Sequence, residues 1–195
     1  MPQSGDYGLW FEFVRHLEFL RSEGYVDAAG RLTSDGHLAS QLRLNQPVLI
    51  AEAIRHDVLP IHQPALLAAL LAWLADGREA REHPPSRMVA ELEVACRQVG
   101  TLLQPLLGRL REWGFEGPPL PPASANAVYA WGQMVDLVQV SELYGGGEGD
   151  VAQLIYRVAD NLRQLFSLAS THPRLVACAR QALELMIRPP ILLPE

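Results

Sequence analysis

Between Leu66 and Leu74 the chain reads Leu-Leu-Ala-Ala-Leu-Leu-Ala-Trp-Leu, and the apolar run extends over residues 65–75. A helix that is apolar nearly all round has no face to offer water, so other elements must enclose it. About eleven apolar positions fall well short of the ~18–20 that a bilayer crossing requires. The run therefore predicts a buried central helix in a folded core. A length of 195 residues leaves ample chain to surround it, as one domain or two closely packed subdomains.

The flanking sequence has helical periodicity broken by proline and glycine, which predicts an all-α multi-helix bundle. Residues 7–23 place Leu9, Phe13, Leu17 and Leu20 on one helical stripe, and Gly24 supplies the stop. Tyr25-Val26 and Arg31-Leu32-Thr33, around Asp27-Ala28-Ala29-Gly30, predict a small winged-helix-like β-hairpin near 25–33. Thr33, Ser34 and Asp35 are good N-caps for a helix through about Leu42. Pro47 and Pro64 stand near the first turns of helices at 46–57 and 63–75, where a missing N–H costs nothing. A polar break from Asp76 to Pro85 leads to a long helix at about 86–113. Gly117-Pro-Pro-Leu-Pro-Pro-Ala favours an extended, semi-rigid spacer between two halves of one assembly. Helices at about 124–136, 138–144, 149–170 and 173–187 complete the chain, and the long helices near 86–113 and 149–170 are expected to pack together. The expected organisation is a winged-helix-like lead-in over 1–45, a helical bundle over 46–187 and a tail over 188–195.

Composition narrows the function classes. Hydrophobic residues at 49% and charged residues at 19% describe a globular chain. All 16 basic residues are arginine. A P-loop needs the lysine of GxxxxGK[ST] to reach the β- and γ-phosphates, so ATP hydrolysis by that route is excluded for this polypeptide. The net charge of −6 and pI near 5.5 argue against tight autonomous binding to phosphate backbones, while leaving room for a local basic or polar strip. The first residues, Met-Pro-Gln-Ser-Gly-Asp, lack the basic and apolar regions of a signal peptide. Cys96 and Cys178 stand alone inside helical patterns, as small buried residues of a reducing compartment do. A cytoplasmic protein with no membrane contact is expected.

The helix from Gly149 separates into two faces. Val151, Leu154, Ile155, Val158, Leu162, Leu165 and Phe166 recur at core spacing. Asp150, Gln153, Arg157, Asp160, Asn161 and Gln164 fall on the opposite stripe, with Tyr156 and Arg163 at the boundary. Amides, one arginine and one tyrosine in a row can hydrogen-bond phosphates and stack on bases without demanding a sequence. Periodicity alone reads the same stripe as a solvated helix face. The loop Gly145-Gly-Gly-Glu-Gly before it precedes a helix N-terminus, but Glu148 and Asp150 suit helix capping better than phosphate binding. The six histidines, at 16, 37, 56, 62, 83 and 172, have no metal-ligand spacing. Ser141 and Ser167 lack a nucleophile context, and Trp131 reads as a core anchor. No cofactor is expected in this chain.

Several segments, in this order, resemble one family. They are Glu23-Gly24-Tyr25-Val26, Leu32-Thr33-Ser34-Asp35-Gly36, the alanine-leucine helix, Tyr129-Ala-Trp-Gly132, Ser141-Glu-Leu-Tyr144 and the Gly149-Asp150 helix start. Together they are similar to the DSHCT domain, the C-terminal helical domain of HelY-like and exosome-associated superfamily 2 RNA helicases. The resemblance implies that the helix from Gly149 lines a channel for single-stranded RNA, with Gln153, Tyr156, Arg157 and Gln164 as contact residues. It also implies motor domains, in cis or in trans, that bind ATP and magnesium elsewhere and supply the enzymatic activity this chain lacks. The family often has an arginine where Gln153 stands, so the phosphate contact there should be weaker. Two other classes stay open: a helical protein-interaction scaffold, and a winged-helix DNA-binding regulator using residues 7–43. The second is weakened by a short segment, Asp35–Leu42, with few basic side chains.

Overall fold

The computed structural model describes residues 5–75, 88–118 and 123–192, with side chains from residue 8 and, past the second gap, from residue 124. The polar break at 76–85, the start of the long helix at 86–87, most of the proline-rich spacer, His83 and the last three residues lie outside the described residues. Nine α-helices are described: α1 (Gly5–Ser22), α2 (Ser34–Gln41), α3 (Pro47–Arg55), α4 (Pro64–Leu74), α5 (Ala90–Glu112), α6 (Ala123–Gly132), α7 (Leu137–Tyr144), α8 (Glu148–Gln164) and α9 (Pro173–Met186). A 3-10 turn, Leu165–Leu168, follows α8, so the helix expected over 149–170 ends in a tighter turn.

Helix α4 is the hub. Every residue from Ala65 to Ala75 is buried, and α3, α5, α6, α8 and α9 all pack on it. The closest of these is α6, and Gly132 allows it: a Cβ there would stand 2.7 Å from the Ala65 Cβ. The two long helices do not take each other as principal neighbours, contrary to expectation. Helix α5 lies on α3 and α4, whereas α8 lies on α4, α7 and α9. Because α4 is apolar on every side, each long helix can cover a different part of it.

The expected hairpin reduces to one antiparallel bridge between Val26 and Leu32. The Asp27 N–H donates to the Arg31 carbonyl at 2.8 Å, but the Arg31 N–H goes to the Asp27 carboxylate at 2.8 Å, and the Ala29 N–H joins it at 2.9 Å. These local bonds hold the Asp27 carboxyl below its usual range, the backbone donor of Arg31 first among them, and they replace the rungs a strand ladder needs. After the turn, Thr33 caps α2: its hydroxyl oxygen accepts from the Gly36 N–H at 3.2 Å and its hydroxyl donates to the Gly24 carbonyl at 2.7 Å. A Cβ at Gly36 would run into the Tyr25 carbonyl oxygen, which explains a glycine in that motif.

The apolar stripe expected along α1 does not enter the core: Leu17 and Leu20 are half-buried, and the residue that does, Phe19, lies off the stripe. Leu9 and Phe13 are 73% and 57% exposed, while Phe19 is buried. The end of α5 holds α1 from Arg15 onward, the Arg15 guanidinium lying 4.8 Å from the centre of the Phe115 ring. Phe115 stacks against His16 and Phe19 at centroid distances of 4.4 and 5.4 Å, and Arg109 forms a bidentate pair with Glu23 at 2.6 and 2.7 Å. Leu9 and Phe13 lie beyond the reach of that contact.

One substitution made at two glycines should give opposite signs. Gly132→Ala forces α4 and α6 apart and should lower the unfolding free energy by about 1–3 kcal/mol. Gly149→Ala points into open space inside α8 and should raise it by up to about 1 kcal/mol. Chemical denaturation of both variants measures the pair.

Candidate functional site

The stretch from Tyr129 to Leu165 builds the site in three steps. Tyr129 and Trp131 first fix α6 in the core. The Tyr129 hydroxyl donates to the Glu91 carboxylate at 2.5 Å, and the Gln63 side chain meets the same carboxylate at 2.5 Å, joining the starts of α4 and α5 to α6. Trp131 is fully buried, and its indole N–H donates to the Met186 carbonyl at 2.9 Å. The Arg188 guanidinium lies 3.4 Å from the centre of the Trp131 ring and donates to the carbonyls of Trp131 and Val135 at 3.0 and 2.8 Å. This is the core anchor expected of Trp131.

Gly145 then ends α7 in the left-handed conformation, with φ of 69°. Across the loop the Asp150 carboxylate accepts from the Gly147 N–H at 3.1 Å. A carboxylate therefore occupies the helix start, satisfying a backbone donor and complementing the helix dipole.

Helix α8 finally turns Val151, Leu154, Ile155, Val158, Ala159 and Leu162 inward. Gln153, Arg157, Asp160 and Gln164 follow one another at spacings of four, three and four, which lie on a single stripe of a helix. Gln153 and Asp160 are exposed, and Arg157 and Gln164 are half-buried. Asp160 is held by Arg163 at 2.6 Å. Arg157 has no hydrogen bond, ion pair or ring contact among the described residues. Tyr156 stands apart from the other three: its hydroxyl donates to the Leu192 carbonyl at 2.6 Å and ties down the C-terminal segment.

Midway along the stripe a cavity of about 170 Å³ opens, lined by Arg157, Asp160 and Asn161 of α8 and by Arg43 and Asn45 from the turn between α2 and α3. Ala72 and Ala75 of α4 form its floor. The Asn45 amide donates to the Ala75 carbonyl at 3.1 Å, covering one of the last acceptors of α4. Sequence reasoning did not find Arg43 or Asn45, because no local pattern connects that turn to a helix so far along the chain. A roomier cavity of about 530 Å³ lies elsewhere, between α1, α2 and the end of α5, with Phe19, Leu32, Val48, Leu110 and Phe115 among its walls. It is mostly apolar and suits a polar strand poorly.

Cys96 and Cys178 are buried free thiols, and burial pushes Cys96 up to about 11 and raises Cys178 as well. His56 sits on Glu52 at 3.1 Å and His62 meets Arg174 at 2.8 Å. Among the described residues no group of His, Cys, Asp and Glu is arranged to hold a metal, and no helix is long and apolar enough to cross a membrane.

Burial and the bond to Glu91 push the Tyr129 phenol from 10.0 up to about 12. A group with a raised folded-state pKa contributes stability in full below its unfolded value and loses it as pH climbs through the folded one. The protein should therefore lose stability between pH 10 and about pH 12. Tyr129→Phe should flatten that loss, as followed by thermal unfolding across the range. Burial raises Tyr25 too, so some pH dependence should persist in the variant.

Known proteins give a consistent picture. The model of the DSHCT (NUC185) domain matches residues 29–193. The chain is 25% identical over 169 residues to Superkiller complex protein 2 of Mus musculus and, equally, to Superkiller complex protein 2 of Homo sapiens. Each alignment covers 79% of this chain and 13% of the relative, so the chain spans a small fraction of those proteins.

Proposed function

The chain belongs to the DSHCT (NUC185) domain family, and on that premise we propose that it is the accessory helical domain of an ATP-dependent RNA helicase. In this reading it guides single-stranded RNA past the motor domains along the outer stripe of α8. The observation that carries the proposal is the division of α8 into two faces. Its apolar residues are all spent on the core, while Gln153, Arg157 and Gln164 remain on the outside with Tyr156 at their edge.

The stripe suits a sequence-tolerant grip. Amide groups donate and accept in turn, and the guanidinium of Arg157 can pair with a backbone phosphate. A net charge of −6 makes binding by this chain alone weak, so motor domains in cis or in trans supply most phosphate contacts and hold ATP and magnesium. The gripping helix holds the strand between motor steps, as a ratchet does. The buried free thiols suit a reducing, cytoplasmic setting.

A protein-interaction scaffold is the second reading, and α1 favours it. Leu9, Trp10, Phe11 and Phe13 are each more than half exposed, as apolar docking faces are.

The two readings separate in the complete helicase. Gln153→Glu with Arg157→Glu should reduce RNA-stimulated unwinding about tenfold, equivalent to about 1.4 kcal/mol, with the circular dichroism of the domain unchanged. Unwinding at the normal rate would favour the scaffold. The isolated chain should turn over no ATP, since it has no lysine and no P-loop.

A further inference from the structure

We propose that Arg43, on the turn between α2 and α3, and Arg157 of α8 together form a pocket for one phosphate of the strand that follows α8. This inference rests on the RNA-guiding reading for the source of the phosphate, but the pocket itself is argued from the arginines.

Among the described residues nearly every guanidinium is engaged. Six arginines pair with carboxylates, as Arg109 does with Glu23. Three lie over aromatic rings and Arg174 meets His62. Only Arg43, Arg111 and Arg157 have no partner among the described residues, and two of those three line the same cavity. In a chain with six more acidic than basic residues, acidic partners are plentiful. Arg43 is exposed and Arg157 half-buried, so water screens part of the repulsion between these like charges, and an anion seated between them removes the rest. The cavity's one carboxylate, Asp160, is drawn toward Arg163, and Asn45 has already covered the Ala75 carbonyl.

Shape and position agree with a phosphate. A volume of about 170 Å³ is an order of magnitude above the roughly 10–15 Å³ that one water needs, enough for a hydrated tetrahedral group. Guanidinium forks match phosphate oxygens in pairs, and Asn161 adds an amide at the wall. Arg157 lies between Gln153 and Gln164 on the stripe, so a strand following α8 passes the cavity that Arg43, from the turn between α2 and α3, also lines. Arg43 supplies a second cation to the same strand from a different element.

The full 195-residue chain provides the test, with three charge reversals: Arg43→Glu, Arg157→Glu and, as a control away from the cavity, Arg111→Glu. Arg157→Gln guards against misfolding at the half-buried position. Fluorescence anisotropy with a single-stranded RNA oligomer is measured over a range of salt. Arg43→Glu and Arg157→Glu should each weaken binding about tenfold and reduce the slope of log affinity against log salt by about 0.7, while Arg111→Glu leaves both unchanged. Inorganic phosphate, titrated separately, should shift the side-chain Nε–H NMR signals of Arg43 and Arg157 together, and neither shift should survive removal of the other arginine. Phosphate shifts without any RNA binding would sustain the pocket and sink the RNA-guiding reading. RNA binding that depends on Arg157 but not on Arg43 would sustain that reading and overturn the pocket. Loss of thermal stability in the variants with no phosphate or RNA response would also overturn it, leaving both arginines a purely structural role.

Discussion

A helix with no polar side needs neighbours all around it, and the rest of this structure depends on that requirement. Burial of Ala65 through Ala75 removes apolar area that stabilises the fold by about 1.5–3 kcal/mol for each large side chain. That gain exists only if α3, α5, α6, α8 and α9 close around α4. Helices α5, α8 and α9 each turn one apolar face to the core, whereas α6 is buried over nearly its whole length. The close approach of α6 depends on the absence of a side chain at Gly132, so a single small residue sets the spacing of the tightest helix pair.

The candidate site is a by-product of this closure. Once Leu154, Ile155 and Val158 commit α8 to the core, its opposite stripe has to face outward, and the C-terminal end of α4 becomes the floor of the cavity beside Arg157. The turn after α2 reaches the same place because Asn45 binds the final turn of α4. Function and stability therefore meet at that helix end, where a polar amide and two arginines share a small volume.

The C-terminal segment shows how motif residues serve architecture before they serve any ligand. Arg188 caps the end of α6 and covers the face of Trp131, while Tyr156 reaches from α8 to Leu192. Tyr129, Trp131, Tyr156 and Arg188 thus lock α6, α8 and the segment after α9 into one unit. In the Tyr-Ala-Trp-Gly motif, Tyr129 binds the start of α5, Trp131 binds the end of α9, and Gly132 admits α4.

By itself the sequence determined which stretches are helical and which side of α8 is apolar, while α6 and α8 stop four and six residues before the ends expected for them. These follow from local chemistry: residue spacing, caps such as Thr33 and Asp150, and glycines such as Gly36 and Gly145 where a side chain has no room or no suitable φ. The central helix and the two faces of α8, with Gln153, Arg157 and Gln164 outward, were legible on that basis. The tertiary structure decided what covers each face. It put α5 and α8 on different parts of α4, left Leu9 and Phe13 in water, turned the hydroxyl of Tyr156 to the chain's end and brought Arg43 to Arg157. The hairpin was lost to a side chain that took a strand's hydrogen bond. Periodicity specifies that a surface must be buried, but the partner is chosen by volume, connectivity and competition for hydrogen bonds among residues far apart in the chain.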